Sequence, residues 1–464
     1  GDNAEQRLTE MIRQHYNHPS VAMWGYMNEI MLAPPDPAPE GYYDAVFNLA
    51  QRLERRAQRE DSTRLTATAQ SFNEIYNGKG VSDLPDVLGM NLYFGWYYEE
   101  MEGLGPFLDS LHRAHPERPL LVSEYGAGSD ERVHTAAPER FDFSTEYQQR
   151  IHETAFRQMK ERSYMAGSAV WNQFDFGSNT RQDTKPAINQ KGLYFFDRTP
   201  KDVAAYYRAH LRDSTVLHVA TRTWSRRAGG TPADRRQPVT VYTNLDSVTL
   251  HHDGTALGTK AVENARAEWT VPLRAGTNTL VARAPNDSAT DRGTVHYVDR
   301  TGFFAGAEDG PPTMAVNAGG HYHYTDRYGV VWAADRDGTA PWGHQGGEAT
   351  RTHHRIFNTG EEPLFQSAHT GEATYRFDVP PGRYAVELGF AEPAHDAAGE
   401  RVFDVRLNGR RVIDGLDLAG QFGRYRAVRR QFEVRVAEGE TLTLSLEAEE
   451  GNPLLNAIHL TRRP

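Results

Sequence analysis

Two stretches of the sequence end an apolar run on a glutamate. Residues 17–29 read Asn-His-Pro-Ser-Val-Ala-Met-Trp-Gly-Tyr-Met-Asn-Glu and set the carboxylate of Glu29 beside the amide of Asn28. Residues 120–126, Leu-Leu-Val-Ser-Glu-Tyr-Gly, repeat the construction and deliver Glu124. Short apolar runs of this kind read as buried strands, and in α/β barrels the carboxyl ends of the strands carry the catalytic groups. Two carboxylates on one rim suit glycoside hydrolysis. One protonates the leaving oxygen, the other attacks the anomeric carbon, and a separation of about 5–5.5 Å predicts retention of configuration. Taken singly, a strand-terminal glutamate is also explained as a helix cap or a surface ion-pair partner.

Periodicity supplies the elements that must position these groups. Between about residues 5 and 212 short apolar runs alternate with longer amphipathic stretches, the pattern of βα units around a parallel sheet. Strands are expected at Val21–Met27, Leu65–Ala69, Val87–Leu92, Leu120–Ser123 and Gly167–Trp171, with helices near 41–60, 101–114, 146–162 and 201–211. Five strands do not close an eight-stranded barrel. After His210 the texture turns β-rich, with runs at Val239–Thr243, Ser247–Leu250, Trp269–Leu273 and Thr279–Ala284 that read as a small antiparallel sandwich over 213–298. Gly310, Pro311 and Pro312 mark a linker over 299–312. A second all-β region, 313–464, carries strands such as Thr374–Val379, Tyr384–Phe390, Val402–Leu407 and Leu442–Leu446. The expected fold class is multidomain, α/β plus all-β: part of a (β/α)8 barrel over 1–212, about strands 4 to 8, followed by two β-sandwiches. A length of 464 residues agrees with three domains of about 150 residues each.

Residues 5–212, with these two glutamates, resemble glycoside hydrolase family two, which includes β-galactosidases, β-glucuronidases and β-mannosidases. The resemblance makes Glu29 the general acid/base, Asn28 the amide that holds the sugar 2-hydroxyl, and Glu124 the nucleophile. The segment Gly-Met-Asn-Leu-Tyr-Phe-Gly-Trp-Tyr, residues 89–97, is similar to the family stretch whose tyrosine hydrogen-bonds the nucleophile. That role falls on Tyr93, with Asn91, Trp96 and Tyr97 shaping the sugar site. Trp171, in Ala-Val-Trp-Asn-Gln-Phe-Asp-Phe, resembles the tryptophan that floors the pocket, and Asp175 is expected in a structural hydrogen-bonding role. Residues 188–201, Ile-Asn-Gln-Lys-Gly-Leu-Tyr-Phe-Phe-Asp-Arg-Thr-Pro-Lys, are similar to the family's barrel-closing segment. Asn189 and Lys191 discriminate substrates: an amide and an ammonium two residues apart can grip a sugar carboxylate, and a lysine can equally donate to neutral hydroxyls. The whole pattern favours a retaining exo-β-galactosidase, with a β-glucuronidase of the same family, or a non-catalytic carbohydrate-binding fragment, as the alternatives.

Residues 213–298 resemble the Ig-like accessory domain that follows the barrel in galactosidase-like members, and His251 and His252 are expected at its surface. Residues 313–464 resemble a malectin-like jelly-roll module, carried by Val-Asn-Ala-Gly-Gly at 316–320, Phe-Ala-Glu-Pro at 390–393 and Leu-Leu-Asn-Ala-Ile at 454–458. Where sugar-binding members carry paired aromatics this chain reads Ser-Ala-His-Thr-Gly, residues 367–371. Tyr322, Tyr324, Tyr328 and Trp332 lie in a loop-like stretch and are candidates for stacking on sugars.

Composition bounds the rest. The net charge of -11 comes without a basic block, which argues against nucleic acid as a partner. No apolar run is long enough to span a bilayer. With no cysteines, thiolate metal sites and cysteine nucleophiles drop out. The chemistry calls for no cofactor and no metal. The expected partner is a β-linked oligo- or polysaccharide, and the sequence leaves the oligomeric state open. The chain opens on Gly1 directly into a helical pattern, so the expectation is that the natural start lies upstream, with the first three barrel strands, and that this chain alone has an open pocket and is inactive or weakly folded. Family resemblance suggests a periplasmic or extracellular location.

Overall fold

The structure, a computed structural model, describes residues 1–299, 313–338 and 341–464. The linker expected at 299–312 lies, apart from Asp299, outside the described residues. The chain divides into two compact units, one of Gly1–Ala127 with Arg150–Gln173 and one of Gly128–Gln149 with Phe174–Pro464. Among the described residues no helix is long and apolar enough to cross a membrane.

The first unit is built on five parallel strands, β1 (Met23–Asn28), β2 (Leu65–Ser71), β3 (Leu88–Asn91), β4 (Leu120–Glu124) and β5 (Met165–Ser168), each beside its neighbour in sequence. This singly wound order is that of a barrel, in which every strand returns through a helix to the next position. The helices are α1 (Asp2–His15), α2 (Tyr42–Glu60), α3 (Leu104–Ala114) and α4 (Thr145–Lys160), the last entering this unit from Arg150 onward. Apolar residues at helical spacing bury one face of each helix: Leu8 and Ile12 of α1 meet Ala50, Leu53 and Ala57 of α2 in a core with Trp24 and Tyr26 of β1. Each of the five expected strands is present, with ends shifted by up to three residues. Gly89 in β3 sits so close to β2 that a Cβ there would lie 1.9 Å from the Thr68 carbonyl oxygen, so no other residue fits at that crossing.

Asp61, just after α2, ties that helix to β1. Its carboxylate accepts from Trp24 Nε1 at 2.9 Å, the Thr63 amide at 2.9 Å and hydroxyl at 2.6 Å, and Arg64 at 2.7 Å. Burial by itself pushes this carboxyl up, and the donors of Thr63, Trp24 and Arg64 more than offset it, holding it well below the usual carboxylate range. A depressed folded-state pKa gives stability that is complete above the unfolded value of about 3.9 and is withdrawn as pH falls below it. Asp61→Asn is therefore expected to lower the denaturation midpoint at pH 7 and to flatten its decline between pH 5 and 3, in urea melts followed by Trp fluorescence. A mutant with the same acid-side slope as the parent would count against this role.

In the second unit, residues 217–299 form two antiparallel-rich sheets, one of five strands and one of three, around a core of Val239, Val241, Leu250, Trp269 and Leu280. His252 departs from its expected surface position. The strand Ser247–His252 alternates inward and outward, so His252 follows Val248 and Leu250 into the interior, where its Nε2 lies 2.8 Å from Asn278 Oδ1. Farther on, sheets of seven and five strands enclose a core that includes Val316, Tyr375, Phe390, Phe403 and Leu460. One strand of the seven comes from far upstream: Val133–His134 pairs antiparallel with His323–Thr325. Arg132 fastens this join through Asp130 at 2.8 Å and the Gly360 carbonyl at 3.0 Å. The loop after Glu124 thus belongs to the second unit, which the sequence pattern did not reveal.

That join decides the fate of the aromatic candidates of the C-terminal module. Tyr322, Tyr324 and Trp332 are core residues, packed with Val133, Ile356 and Phe365, and buried rings present no face to a sugar. Tyr324 and Trp332 lie opposite each other on the paired strands His323–Thr325 and Val331–Ala334, not in a loop. Tyr328 alone of the four is exposed, at 83%.

Candidate active site

The carboxyl ends of β1, β3 and β4 bring the first group of candidates together. Asn91 closes β3 in register with Glu124 at the end of β4, and the Leu92 amide donates to the Glu124 carbonyl at 2.8 Å. Side-chain bonds then cross three strands. Ser123 Oγ donates to Asn91 Oδ1 at 2.7 Å, and Asn91 Nδ2 donates to Asn28 Oδ1 at 3.0 Å. This chain fixes the orientation of the Asn28 amide and directs its nitrogen away from Asn91. It also links the neighbours of the two glutamates, because Asn28 precedes Glu29 and Ser123 precedes Glu124.

Glu124 is half-buried, and one of its oxygens accepts from the Tyr93 hydroxyl at 2.7 Å. Tyr93 is 8% exposed. Its phenol is pushed far above the ordinary tyrosine value, first by burial and then by the charges of Glu124, Tyr97 and Glu29. It therefore remains a protonated donor at every working pH. Its backbone amide is held in turn by the Tyr98 hydroxyl at 2.8 Å, and burial also raises the Tyr98 phenol, with Glu29 contributing. The charge of Glu29 contributes to raising both phenols. Glu29 itself holds a left-handed backbone, φ 50°, while its amide donates to Ala69 at 2.8 Å. Such a conformation is uncommon outside glycine and concentrates at functional sites.

Removing the Tyr93 donor should leave the fold intact and slow the chemistry. Tyr93→Phe is expected to reduce kcat by about 10- to 100-fold with little change in KM, the loss of one hydrogen bond to a charged group of about 1.5–3 kcal/mol. A rise in KM at unchanged kcat would place Tyr93 in ground-state binding instead.

The remaining candidates divide. Tyr97 is 41% exposed and meets the Tyr93 ring edge-on, whereas Trp96 is 1% exposed, so Trp96 supports the rim from behind and offers no ring face to a sugar. Trp171 lies beyond the end of β5, half-buried, its amide donating to the Tyr125 carbonyl at 2.9 Å. Its carbonyl oxygen would be 2.7 Å from a Cβ at Gly126, which keeps that position glycine. Asn189 and Lys191 belong to the second unit, where both are buried and the Lys191 amide donates to Asn189 Oδ1 at 3.2 Å. Asp175 anchors their segment: Oδ1 accepts from the Gly192 amide at 2.8 Å and from Lys201 Nζ at 3.0 Å, and Lys201 also reaches the Gln190 carbonyl at 2.9 Å. Burial pushes the Asp175 carboxyl up and the Lys201 ammonium down. Sequence reasoning assigned no role to Ser123 or Tyr98. Both lie within the quoted or adjoining motif residues, but their roles depend on which strands are neighbours.

The chain is similar to known proteins. Residues 2–214 match the family described as "Glycosyl hydrolases family 2, TIM barrel domain", residues 234–290 a "Domain of unknown function (DUF4982)", and residues 312–458 the "Malectin domain". The chain is similar to a β-glucuronidase of Bacteroides fragilis, 30% identical over 307 residues that make up 64% of this chain and 41% of that protein. It is also similar to the mouse β-glucuronidase, 30% identical over 43% of this chain and 30% of that one. Among solved structures, a Bacteroides uniformis β-glucuronidase superposes with a TM-score of 0.91 at 37% identity, covering 100% of this chain and 56% of its own. The match thus spans between 30% and 56% of the length of these relatives.

Proposed function

We propose that the protein, in which residues 2–214 match the family 2 glycosyl hydrolase TIM barrel and residues 312–458 the malectin domain, is a retaining exo-β-glycosidase whose substrate is a terminal β-glucuronide of an oligo- or polysaccharide. The observation that carries the mechanism is the Tyr93–Glu124 hydrogen bond on the rim that Asn28, Asn91 and Ser123 tie together. Glu29 protonates the departing glycosidic oxygen as Glu124 attacks the anomeric carbon and forms a glycosyl ester. Glu29, now a carboxylate, takes a proton from water, which releases the sugar with its configuration retained. Tyr93 donates to Glu124 before the ester forms and again as the carboxylate departs. Residues 213–298 act as a spacer domain in this proposal, and 313–464 as a module that holds the enzyme near its glycan.

The preference for a galactoside drawn from the sequence is replaced here by its uronide alternative. Two things support the change: the relatives named above are β-glucuronidases, and Asn189 with Lys191 offers an amide and an ammonium suited to a sugar carboxylate. Initial rates on 4-nitrophenyl β-D-glucuronide and 4-nitrophenyl β-D-galactoside test it. The glucuronide is expected to lead by about 100-fold or more in kcat/KM, since a site built around a charged group rejects substrates that leave it unpaired. Faster turnover of the galactoside would reinstate the earlier preference.

A further inference from the structure

The C-terminal module gathers three ligand-type side chains that the glycosidase chemistry does not use. Asp335 follows the strand Val331–Ala334, His344 lies in Trp342–Gln345 and His369 in Ser367–Thr370. One donor atom from each lies within 4.8 Å of the other two. His369 Nδ1 is 3.4 Å from Asp335 Oδ2, and His344 Nε2 is 3.8 Å from Asp335 Oδ1. Ligands on a Zn2+ tetrahedron with bonds of about 2.0–2.1 Å are about 3.3–3.4 Å apart, so a small inward adjustment satisfies one ion.

The surroundings are arranged as they are around bound metals. His369 Nε2 lies 2.8 Å from the Gly346 carbonyl. A carbonyl only accepts, so Nε2 carries the hydrogen and Nδ1 is turned toward the carboxylate, as outer-shell carbonyls fix the tautomer of ligating histidines. Asp335 is itself held by the Gly319 amide at 2.6 Å and the Tyr375 hydroxyl at 2.7 Å on Oδ2, and by the Arg336 amide at 2.9 Å on Oδ1. A cation belongs between Nδ1 and the carboxylate, either a proton on the ring or a metal ion that replaces it. The two imidazoles lie with ring centroids 4.1 Å apart beside this carboxylate, His344 Nε2 also lies 3.5 Å from Asp337 Oδ1, and His369 Nδ1, which faces Asp335, is buried without a hydrogen-bond partner. A single divalent ion would take one lone pair from each ring and one oxygen of Asp335 at once. Gly347 keeps the arrangement open: it has φ +70°, and a Cβ there would lie 2.4 Å from His369 Nε2. A cavity of about 330 Å³ lined by all three side chains and Gly347 leaves room for water ligands.

We propose that Asp335, His344 and His369 form a binding site for one divalent transition-metal ion, of which Zn2+ is the type. Two imidazoles with one carboxylate suit Zn2+, Co2+ or Ni2+ and do not suit Ca2+, which takes six to eight oxygens. The site lies within the C-terminal module and is independent of the catalytic assignment.

The test uses the whole protein stripped with a chelator and reloaded with Zn2+ under calorimetry, and with Co2+ followed by visible absorption. One ion per chain and ligand-field bands of nitrogen-coordinated Co2+ are expected. His344→Ala and His369→Ala, each confirmed as folded by circular dichroism, should weaken Zn2+ binding by about 10-fold or more, the effect even of losing an outer-shell partner. If either alanine variant fails to fold, Asp335→Asn keeps the shape and is expected to show the same loss. His321→Ala, which lines the cavity but pairs with Arg351, should leave affinity unchanged. Absence of the Co2+ bands in the parent protein, or undiminished Zn2+ affinity in the folded histidine variants, would overturn the proposal.

Discussion

Glu124→Ala is expected to reduce turnover of an aryl β-glucuronide by about 10⁴-fold or more, since it removes the group proposed to form the covalent intermediate. Azide distinguishes this loss from a general disturbance of the site. In Glu124→Ala, azide occupies the space the carboxylate leaves, attacks once, and gives the α-glycosyl azide with restored rate. In Glu29→Ala the ester at Glu124 still forms when the leaving group is a good one, azide then attacks that ester without needing a base, and the β-azide results. General acid–base catalysis contributes about 10²- to 10⁴-fold, so Glu29→Ala should be far slower on substrates with poor leaving groups than on 4-nitrophenyl glycosides. Product stereochemistry by NMR reads both outcomes. Reversal of the two azide products would exchange the roles of Glu29 and Glu124.

Lys191→Met should separate substrates. The methionine keeps the length of the side chain and removes its charge, so a glucuronide carboxylate enters without its cation. Leaving a desolvated charge unpaired costs about 3–5 kcal/mol, which at 1.4 kcal/mol per factor of ten corresponds to a fall of about 10²- to 10³-fold in kcat/KM. The neutral 4-nitrophenyl β-D-galactoside, turned over slowly by the parent, should change by less than about threefold. Both substrates falling together would instead make Lys191 a structural residue, and the anchoring of its segment by Asp175, Gly192 and Lys201 shows why that outcome must be read against a folded control. Lys201→Met removes both the buried ion pair and the hold on the Gln190 carbonyl beside Lys191 and should lower stability, so the folded control is circular dichroism of Lys191→Met itself.

The parts of this structure that were legible in the sequence are those where one period sufficed. The apolar runs before Asn28 and Ser123 read directly as β1 and β4, and α2 followed from apolar residues three and four apart, because a buried face imposes its spacing on the chain. Family resemblance added the roles of Tyr93 and Glu124, and the structure places the two in hydrogen-bond contact. What was not legible depends on neighbours distant in sequence. Ser123 and Asn91 meet only because β3 and β4 are adjacent, and nothing in either segment announces it. Tyr324 looked available for a ligand because its burial comes from a pairing with Val133–His134, some 190 residues upstream, and Trp332 because it lies opposite Tyr324 in the next strand. His252 was misplaced for a more local reason. Two adjacent histidines suggest a wet surface, yet the alternation of Val248 and Leu250 already sends every second side chain of that strand inward. Asp335, His344 and His369 come from three strands at spacings that form no recognisable metal motif, so only the fold brings them together.

The central claim is that Glu124 is the nucleophile of a retaining β-glucuronidase, and trapping the covalent intermediate tests it most directly. The protein is incubated with 2-deoxy-2-fluoro-β-D-glucuronosyl fluoride, which forms the ester readily and releases it slowly, then digested and sequenced by tandem mass spectrometry. The expected result is one fluoroglucuronosyl group per chain, on Glu124 in the peptide that carries Leu120–Gly126. A label on Glu29 or on any other residue, or an unlabelled protein that still hydrolyses the aryl glucuronide, would contradict the claim.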